Sequence, residues 1–412
     1  MASLSRLANR LITPAAKQML LAWERLESGV AYDPTSIATR HEPYGLYDEL
    51  RRKDPVHRMR LMKAWALTRY EDVDQLLRDH KRFTSEGRNY GYTSYLTMLD
   101  FDPPKHTRLR GLVSKAFTPR AIEKLEPRID VVVNELLDAV GNQDRFDLID
   151  AVAFPLPVIV IAEMLGVPPE DRDRFRGWSD DIAMTVEPLL DEPDVHKVRK
   201  ATGELFEYFE GQIEKRRTSP QDDLLSGLMA AEEAGDRLTR EELLSTLMLL
   251  LVAGNETTRN LIGNGMLALL RHPDQLERLR QHPDMLTGAI SELLRYDPPV
   301  QFDGRIARED LDIGGKKIRS GDRVISLLGA ANRDPEVFTD PNRLDLGRSE
   351  KSHISFGRGI HYCLGASLAV LEGKVTFKAL LERFPRIRLA QDPVRRNQMV
   401  LRGLSELWVD VA

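Results

Sequence analysis

The stretch FGRGIHYCLGASLA, Phe356 to Ala369, contains the single cysteine of a 412-residue chain. A lone cysteine is ordinarily a small buried hydrophobe, but its setting here adds three features. FGRG supplies two glycines able to take positive φ or to let the backbone approach a bulky group. The run LGASLAVLEGKVTFKALLERF reads as a helix, which places the sulfur near a helix N-terminus, where the dipole and free N–H groups favour a thiolate. GRGIHY is not a dinucleotide fingerprint, because Tyr362 stands where a third glycine is needed. His353, His361 and Cys363 are also short of a zinc set, since no CxxC or HxxxH completes four ligands. A thiolate that needs no protein companion suits the axial position of a haem, whose porphyrin brings four nitrogens.

Three further constellations carry possible chemistry. AGNETT, Ala253 to Thr258, falls midway along a long helical pattern, with Leu250, Ala253, Gly254 and Thr257 on one face. Two small residues there leave a hollow beside a hydroxyl; the plain alternative is buried helix packing. Glycine inside a helix costs about 1 kcal/mol relative to alanine, which implies a spatial reason for Gly254. ELLR, Glu292 to Arg295, reads alone as an i,i+3 surface ion pair. DPPKHTRLR sets His106 and Arg110 four residues apart on one helical face, a donor pair suited to carboxylates.

Helical periodicity dominates the elements that must position these groups. PYGLYDELRRKD, TRYEDVDQLLRDH, TPRAIEKLEPRIDVVVNELLDAV, VRKATGELFEYFEGQIEKRRT, TREELLSTLMLLLVAGNETTRNLIGNGMLALLRH and TGAISELLRYDPP each predict one helix. VHRMRLMKAWALTR and RIAREDLDIGGKKIRSGDRVISLL predict short strands, with Gly314-Gly315 as a hairpin turn. The expectation is one mainly helical domain with a minor sheet over residues 1–412, of which about 1–30 form an N-terminal extension. Composition is 42% hydrophobic and 30% charged with a net charge of −5, which disfavours a nucleic-acid partner. One cysteine excludes an intrachain disulfide framework and fits a reducing compartment, so a cytoplasmic location is expected. LSRLANRLITPAAKQMLLAWERLES is amphipathic, with Arg6, Arg10, Lys17 and Arg25. It lacks signal-peptide features and reads as a surface helix in preference to a membrane-surface anchor. The longest apolar run, Leu247 to Gly254, is too short for a membrane span.

FGRGIHYCLG resembles the haem-binding signature of the cytochromes P450, meeting Phe356, Gly357, Gly359, His361, Cys363 and Gly365. The resemblance covers the chain from about Tyr44 to the C-terminus in the family's motif order. It implies the cytochrome P450 fold, a large helical domain with a minor β-rich region, and haem b held by Cys363, packed against Phe356, Gly357, Gly365, Ala253 and Gly254. It implies that Glu292 and Arg295 join Arg343 of VFTDPNRL in a structural brace. It also implies that His106, Arg110, Arg305 and His353 meet the haem propionates.

The implied activity is a monooxygenase that places one oxygen atom of O2 into a hydrophobic small molecule by hydroxylation or epoxidation. Thr257 would hold a proton-delivering water and Glu256 would relay protons from solvent. No flavin, nicotinamide or iron–sulfur signature is present, so a ferredoxin or flavodoxin with its NAD(P)H-dependent reductase would supply electrons. Arg108, Lys115, Arg120 and Arg358 are candidates to meet it, or are ordinary surface charges. Tyr92, Leu96, Met98, Leu99, Leu250, Val300, Phe302 and Val400 are the expected pocket lining. Two rival functions are a haem-thiolate sensor without turnover and a peroxide-driven peroxygenase; the intact acid–threonine pair weighs against both.

Overall fold

A computed structural model describes residues 13–115, 117–230, 237–350 and 352–411. Its axis is one helix, Arg240–Arg271. The helix starts at a capping box: Thr239 Oγ1 accepts from Glu242 N at 3.2 Å, and Glu242 Oε2 accepts from Thr239 N at 3.0 Å. It stops at His272, ahead of Pro273, as the proline requires. Apolar neighbours surround it: Pro155–Met164 and Arg172–Ala183 on one side, Leu286–Tyr296 and Ala366–Arg383 on the other. Close approach depends on glycine at Gly265, where a Cβ would stand 2.8 Å from Phe377 Cζ.

The other expected helices form at Tyr44–Lys53, Tyr70–Arg78 and Glu192–Thr218. TPRAIEKLEPRIDVVVNELLDAV does not run as one helix. It breaks into Pro119–Glu123 and Glu126–Val140, because Pro127 has no N–H for an i−4 carbonyl and fits only the first turn of a new helix.

The main sheet joins chain segments far apart in sequence. Val56–Met59 pairs antiparallel with Ala64–Leu67, which lies parallel to Arg323–Leu327. Phe302–Ala307 is antiparallel to that strand, and Phe83–Thr84 closes the edge. Leu311–Ile313 and Lys316–Ile318 form the expected hairpin, with Gly314 and Gly315 at φ 56° and 74°, the positive values of a type I′ turn.

Of the expected N-terminal surface helix, Pro14–Ser28 is described and capped by Thr13; the part before Thr13 lies outside the described residues. It is bolted to the body by Leu21 and Glu24, both buried. Glu24 accepts from the backbone N–H of Tyr32 at 3.0 Å and of Arg60 at 2.6 Å, and meets His57 Nε2 at 3.2 Å. His57 Nδ1 in turn meets Asp54 at 3.0 Å.

Candidate active site

Gly357 and Gly359 take φ of 69° and 66°, which turns the loop ahead of the cysteine. Gly359 has a second constraint: a Cβ there would stand 2.6 Å from the Leu77 carbonyl oxygen. Cys363 N donates to Phe356 O at 2.9 Å, closing the loop, and the helix Ala366–Arg383 begins directly after Gly365. The sequence led us to expect a thiolate favoured by the helix N-terminus. Burial dominates instead and pushes the Cys363 thiol up, opposed by the Gly365 N–H and by Arg110. A metal cation on the sulfur would reverse that balance, since a coordinating thiol is deprotonated.

Beside this loop lies a group of donors with few acceptors. His106 is 2% exposed, and neither of its ring nitrogens has a partner. Its ring centre is 4.3 Å from that of His361, whose Nδ1 is also unpartnered and whose Nε2 meets Ser85 Oγ at 3.0 Å. Burial first, then Arg110, pulls His106 down to about 4; burial first, then Arg305, pulls His361 down to about 3. Arg305 and Arg88 share one carboxylate, Asp303, each at 2.6 Å, and Arg110 Nη2 donates to Tyr362 O at 2.6 Å. Two neutral imidazoles and the guanidiniums of Arg88, Arg110 and Arg305 outnumber the nearby carboxylates, Asp303 and Asp102, and suit an added dianion; haem carries two propionates. The residues present fit the group.

His353 is set apart from this cluster. Its ring lies 5.7 Å from Phe356, its Nδ1 accepts from Ser355 N at 3.3 Å, and its nearby cations are Arg358 and Arg295. His361 occupies the position among the donors that His353 was expected to fill. The signal was available, because His361 is the histidine inside the cysteine motif itself.

On the long helix, Ala253 is solvent-open although most of that helix is buried, so a hollow lies beside it. The Thr257 hydroxyl donates to Ala253 O at 2.8 Å, and its lone pairs remain for a second partner. The face turned to this cavity carries Leu249, Val252, Ala253, Glu256 and Thr257. Leu250 and Gly254 are turned away. Leu250 packs in the apolar cluster with Trp178 and Phe206, and the Gly254 Cβ position faces Ile161 at 3.7 Å.

Glu256 is 0% exposed by its surface, yet it borders the cavity. It meets Arg396 in a short ion pair and Arg259 at 3.4 Å. Both arginines reach Asp180, at 3.8 and 3.4 Å, and the Asp180 side chain is partly exposed. Burial raises Glu256 to about 7, with Arg396 and Arg259 pulling the other way. A carboxyl poised there can both release and accept a proton near neutral pH.

The cavity has a volume of about 340 Å³. Of the expected lining, Tyr92, Leu99, Val300, Phe302 and Val400 border it, joined by Tyr95, Ile182, Met248 and Leu401. Leu96 and Met98 do not. Leu96 is exposed, and Met98 joins the core because the turn Met98–Asp100, capped by Thr97, sends consecutive side chains in different directions.

Glu292 and Arg295 form a buried pair, not a surface one, with Nε–Oε2 at 2.7 Å and Nη2–Oε1 at 2.8 Å. Arg295 also donates to the carbonyls of Asn332, Pro341 and Arg343 at 2.9, 2.8 and 3.1 Å. The Arg343 side chain is exposed and contributes only its carbonyl. The third charge is Arg348, whose Nε stands 3.2 Å from both Glu292 oxygens. Among the candidate docking cations, Arg108 pairs with Glu242 and Arg358 with Asp74, while Lys115 and Arg120 are exposed.

A family model described as Cytochrome P450 matches residues 174–402. The polyketide biosynthesis cytochrome P450 PksS of Bacillus subtilis is 42% identical over 405 residues, covering 92% of this chain and 98% of that protein. Its solved structure superposes with a TM-score of 0.86 and is covered in full by 92% of this chain. The 6-deoxyerythronolide B hydroxylase of Saccharopolyspora erythraea is 40% identical, over 89% of this chain and 95% of that one. A crystal structure of P450BioI with an acyl carrier protein bearing hexadec-9Z-enoic acid is 40% identical at a TM-score of 0.88, over 92% of this chain and all of that one.

Proposed function

This chain belongs to the cytochrome P450 family and is a haem b monooxygenase, and from that premise we propose which of its residues run the reaction and on what class of molecule. When bound, haem supplies the activation of O2. Cys363 would hold the haem iron through its sulfur, which receives the Gly365 N–H, and that hydrogen bond would tune how strongly the sulfur donates. His106, His361, Arg110 and Arg305 would hold the propionates. The observation that carries this reading is the buried His106–His361 pair beside the cysteine loop, with both His106 nitrogens and His361 Nδ1 unpartnered, and with His361 and the solvent-open Ala253 bordering one cavity.

Thr257 orients a water at the cavity through its free lone pairs, and Glu256 passes protons to that water from Asp180 at the surface. This pair supports an O2-driven reaction over a peroxide-driven one. Electrons come from a separate ferredoxin or flavodoxin and its NAD(P)H-dependent reductase. The substrate is a hydrophobic small molecule, because Phe302, Val300, Val400, Met248 and Ile182 dominate the walls. A polyketide or a long acyl chain fits both those walls and the names of the relatives.

Reduced protein under carbon monoxide is expected to show the red-shifted Soret band of thiolate ligation, and Cys363→His to lose it while keeping haem. A histidine-type spectrum from intact, reduced wild-type protein refutes the assignment.

A further inference from the structure

Between the helices Arg172–Ala183 and Glu192–Thr218 the chain makes a short crossing at the edge of the cavity. Thr185 and Val186 border the cavity, and Val186 is also 38% exposed, so the crossing stands at the mouth. The next residue turns inward. Glu187 is 5% exposed, and Pro188 after it keeps its backbone extended, at φ −76° and ψ 133°. Its carboxylate meets a turn 212 to 214 residues further along the chain. There it accepts three successive backbone N–H groups, those of Met399 at 2.8 Å, Val400 at 3.0 Å and Leu401 at 3.4 Å. Converging N–H groups of this kind make a site for an anion. Burial pushes the pKa of Glu187 up and the three N–H groups pull it back, with Arg40 acting after them. Arg40 is itself committed to the same turn, its Nη1 donating to Asn397 Oδ1 at 2.6 Å. Among the described residues, then, backbone N–H groups satisfy this buried carboxylate, in place of a salt bridge.

Both segments that this carboxylate joins are walls. Val400 and Leu401 border the cavity opposite the crossing. Their turn is fixed on its other side by backbone bonds, Gln301 N to Val400 O at 2.9 Å and Arg402 N to Pro299 O at 2.7 Å. The crossing is tied at its far end as well, where Leu190 N donates to the hydroxyl of Tyr92, a third wall residue, at 3.1 Å. Leu189 packs on the apolar cluster that contains Met399, Val400 and Phe302. We infer that Glu187 is a positioning residue for the reaction: it sets the spacing of the Thr185–Val186 wall from the Val400–Leu401 wall, and so selects ligands that run from the iron to the mouth. Glu187 is not itself part of the cavity lining, so it acts only through the residues it holds. The carboxylate is needed because its two oxygens can take three N–H groups. An amide in its place offers one oxygen and turns an NH2 toward the remaining donors. The inference rests on the haem reading above and concerns the same cavity.

The test compares two iron ligands with one head group, imidazole and 1-dodecylimidazole, titrated into full-length, haem-loaded wild type, Glu187→Gln and Glu187→Ala. Both ligands are read by the Soret shift of nitrogen ligation, and only the second has a tail that reaches the walls. Each variant is expected to keep the carbon monoxide spectrum and to bind imidazole as wild type does. Affinity for 1-dodecylimidazole should fall at least ~10-fold in both, the scale of losing hydrogen bonds to a charged group. A residue that merely supports the fold would weaken the two ligands in parallel, and that result overturns the proposal. Unchanged binding of 1-dodecylimidazole overturns it, and so does failure of both variants to fold with haem. A wild type that gives no imidazole shift refutes the haem reading itself, and the proposal falls with it.

Discussion

Glu256→Gln removes a charge from a side chain that is both cavity wall and buried ion-pair partner. Burial raises the folded-state pKa of Glu256 from 4.5 to about 7, so the fold prefers the neutral acid. The stability tied to this group is therefore complete below pH 4.5 and is lost as pH climbs through 7. The amide of the variant stays neutral throughout and loses nothing. With these two pKa values, the stability of the variant relative to wild type should rise by on the order of 2 kcal/mol between pH 5 and pH 8. Any pH-independent cost of the substitution, such as a change in packing, cancels in that difference, and the pull of Arg396 and Arg259 on the ionised carboxylate is already contained in the raised pKa. The assay is unfolding of the haem-loaded pair of proteins at half-unit pH steps. Turnover with redox partners should fall over the same range, by ~10²-fold or less where water substitutes for the relay. Parallel stability profiles across pH 5–8 would refute the assignment of a raised, buried carboxyl, and unchanged turnover would refute the relay.

Thr257→Ala should bind substrate and consume NAD(P)H at near wild-type rate but release hydrogen peroxide in place of product; an unchanged product-to-NAD(P)H ratio removes its proton-delivery role. Arg295→Ala strips Glu292 of its bidentate partner and takes the side-chain donor from the carbonyls of Asn332 and Pro341, while Arg343 O keeps Arg348. Breaking a buried pair costs about 3–5 kcal/mol, so folded, haem-loaded protein should be scarce, and a normal melting temperature would count against the brace. Gly359→Ala meets the Leu77 carbonyl at 2.6 Å and should lower the yield of folded protein several-fold, whereas Gly211→Ala, on the exposed face of Glu192–Thr218, meets nothing within 4 Å and should not. Equal yields from the two variants would argue against the close approach.

The sequence made the cysteine loop legible because its information is local: glycines, histidine and cysteine act within eight residues of one another. The same holds for the capped helix Arg240–Arg271 and the Gly314–Gly315 turn. What it hid depends on what packs where. Leu249 and Leu250 are chemically alike, and only the packing of the neighbouring helices decides which one faces the cavity. Arg343 and Arg348 lie five residues apart in one loop, and the path of its backbone turns the second toward Glu292. His353 and His361 both flank Phe356 in sequence, yet one faces Arg295 and the other His106.

The parallel pairing of Ala64–Leu67 with Arg323–Leu327 sets a schedule for biogenesis. During synthesis the first strand leaves the ribosome and must wait for its partner, which begins 323 − 67 = 256 residues later. At ~5–20 residues per second that interval is roughly 13–50 s. Throughout it the strand edge that will meet Arg323–Leu327 stays open, although Val56–Met59 can already pair with the other edge. Cys363 emerges later still. Nascent chains should lean on holding chaperones for most of their translation, and messages truncated ahead of Arg323 should yield aggregates in place of a stable subdomain.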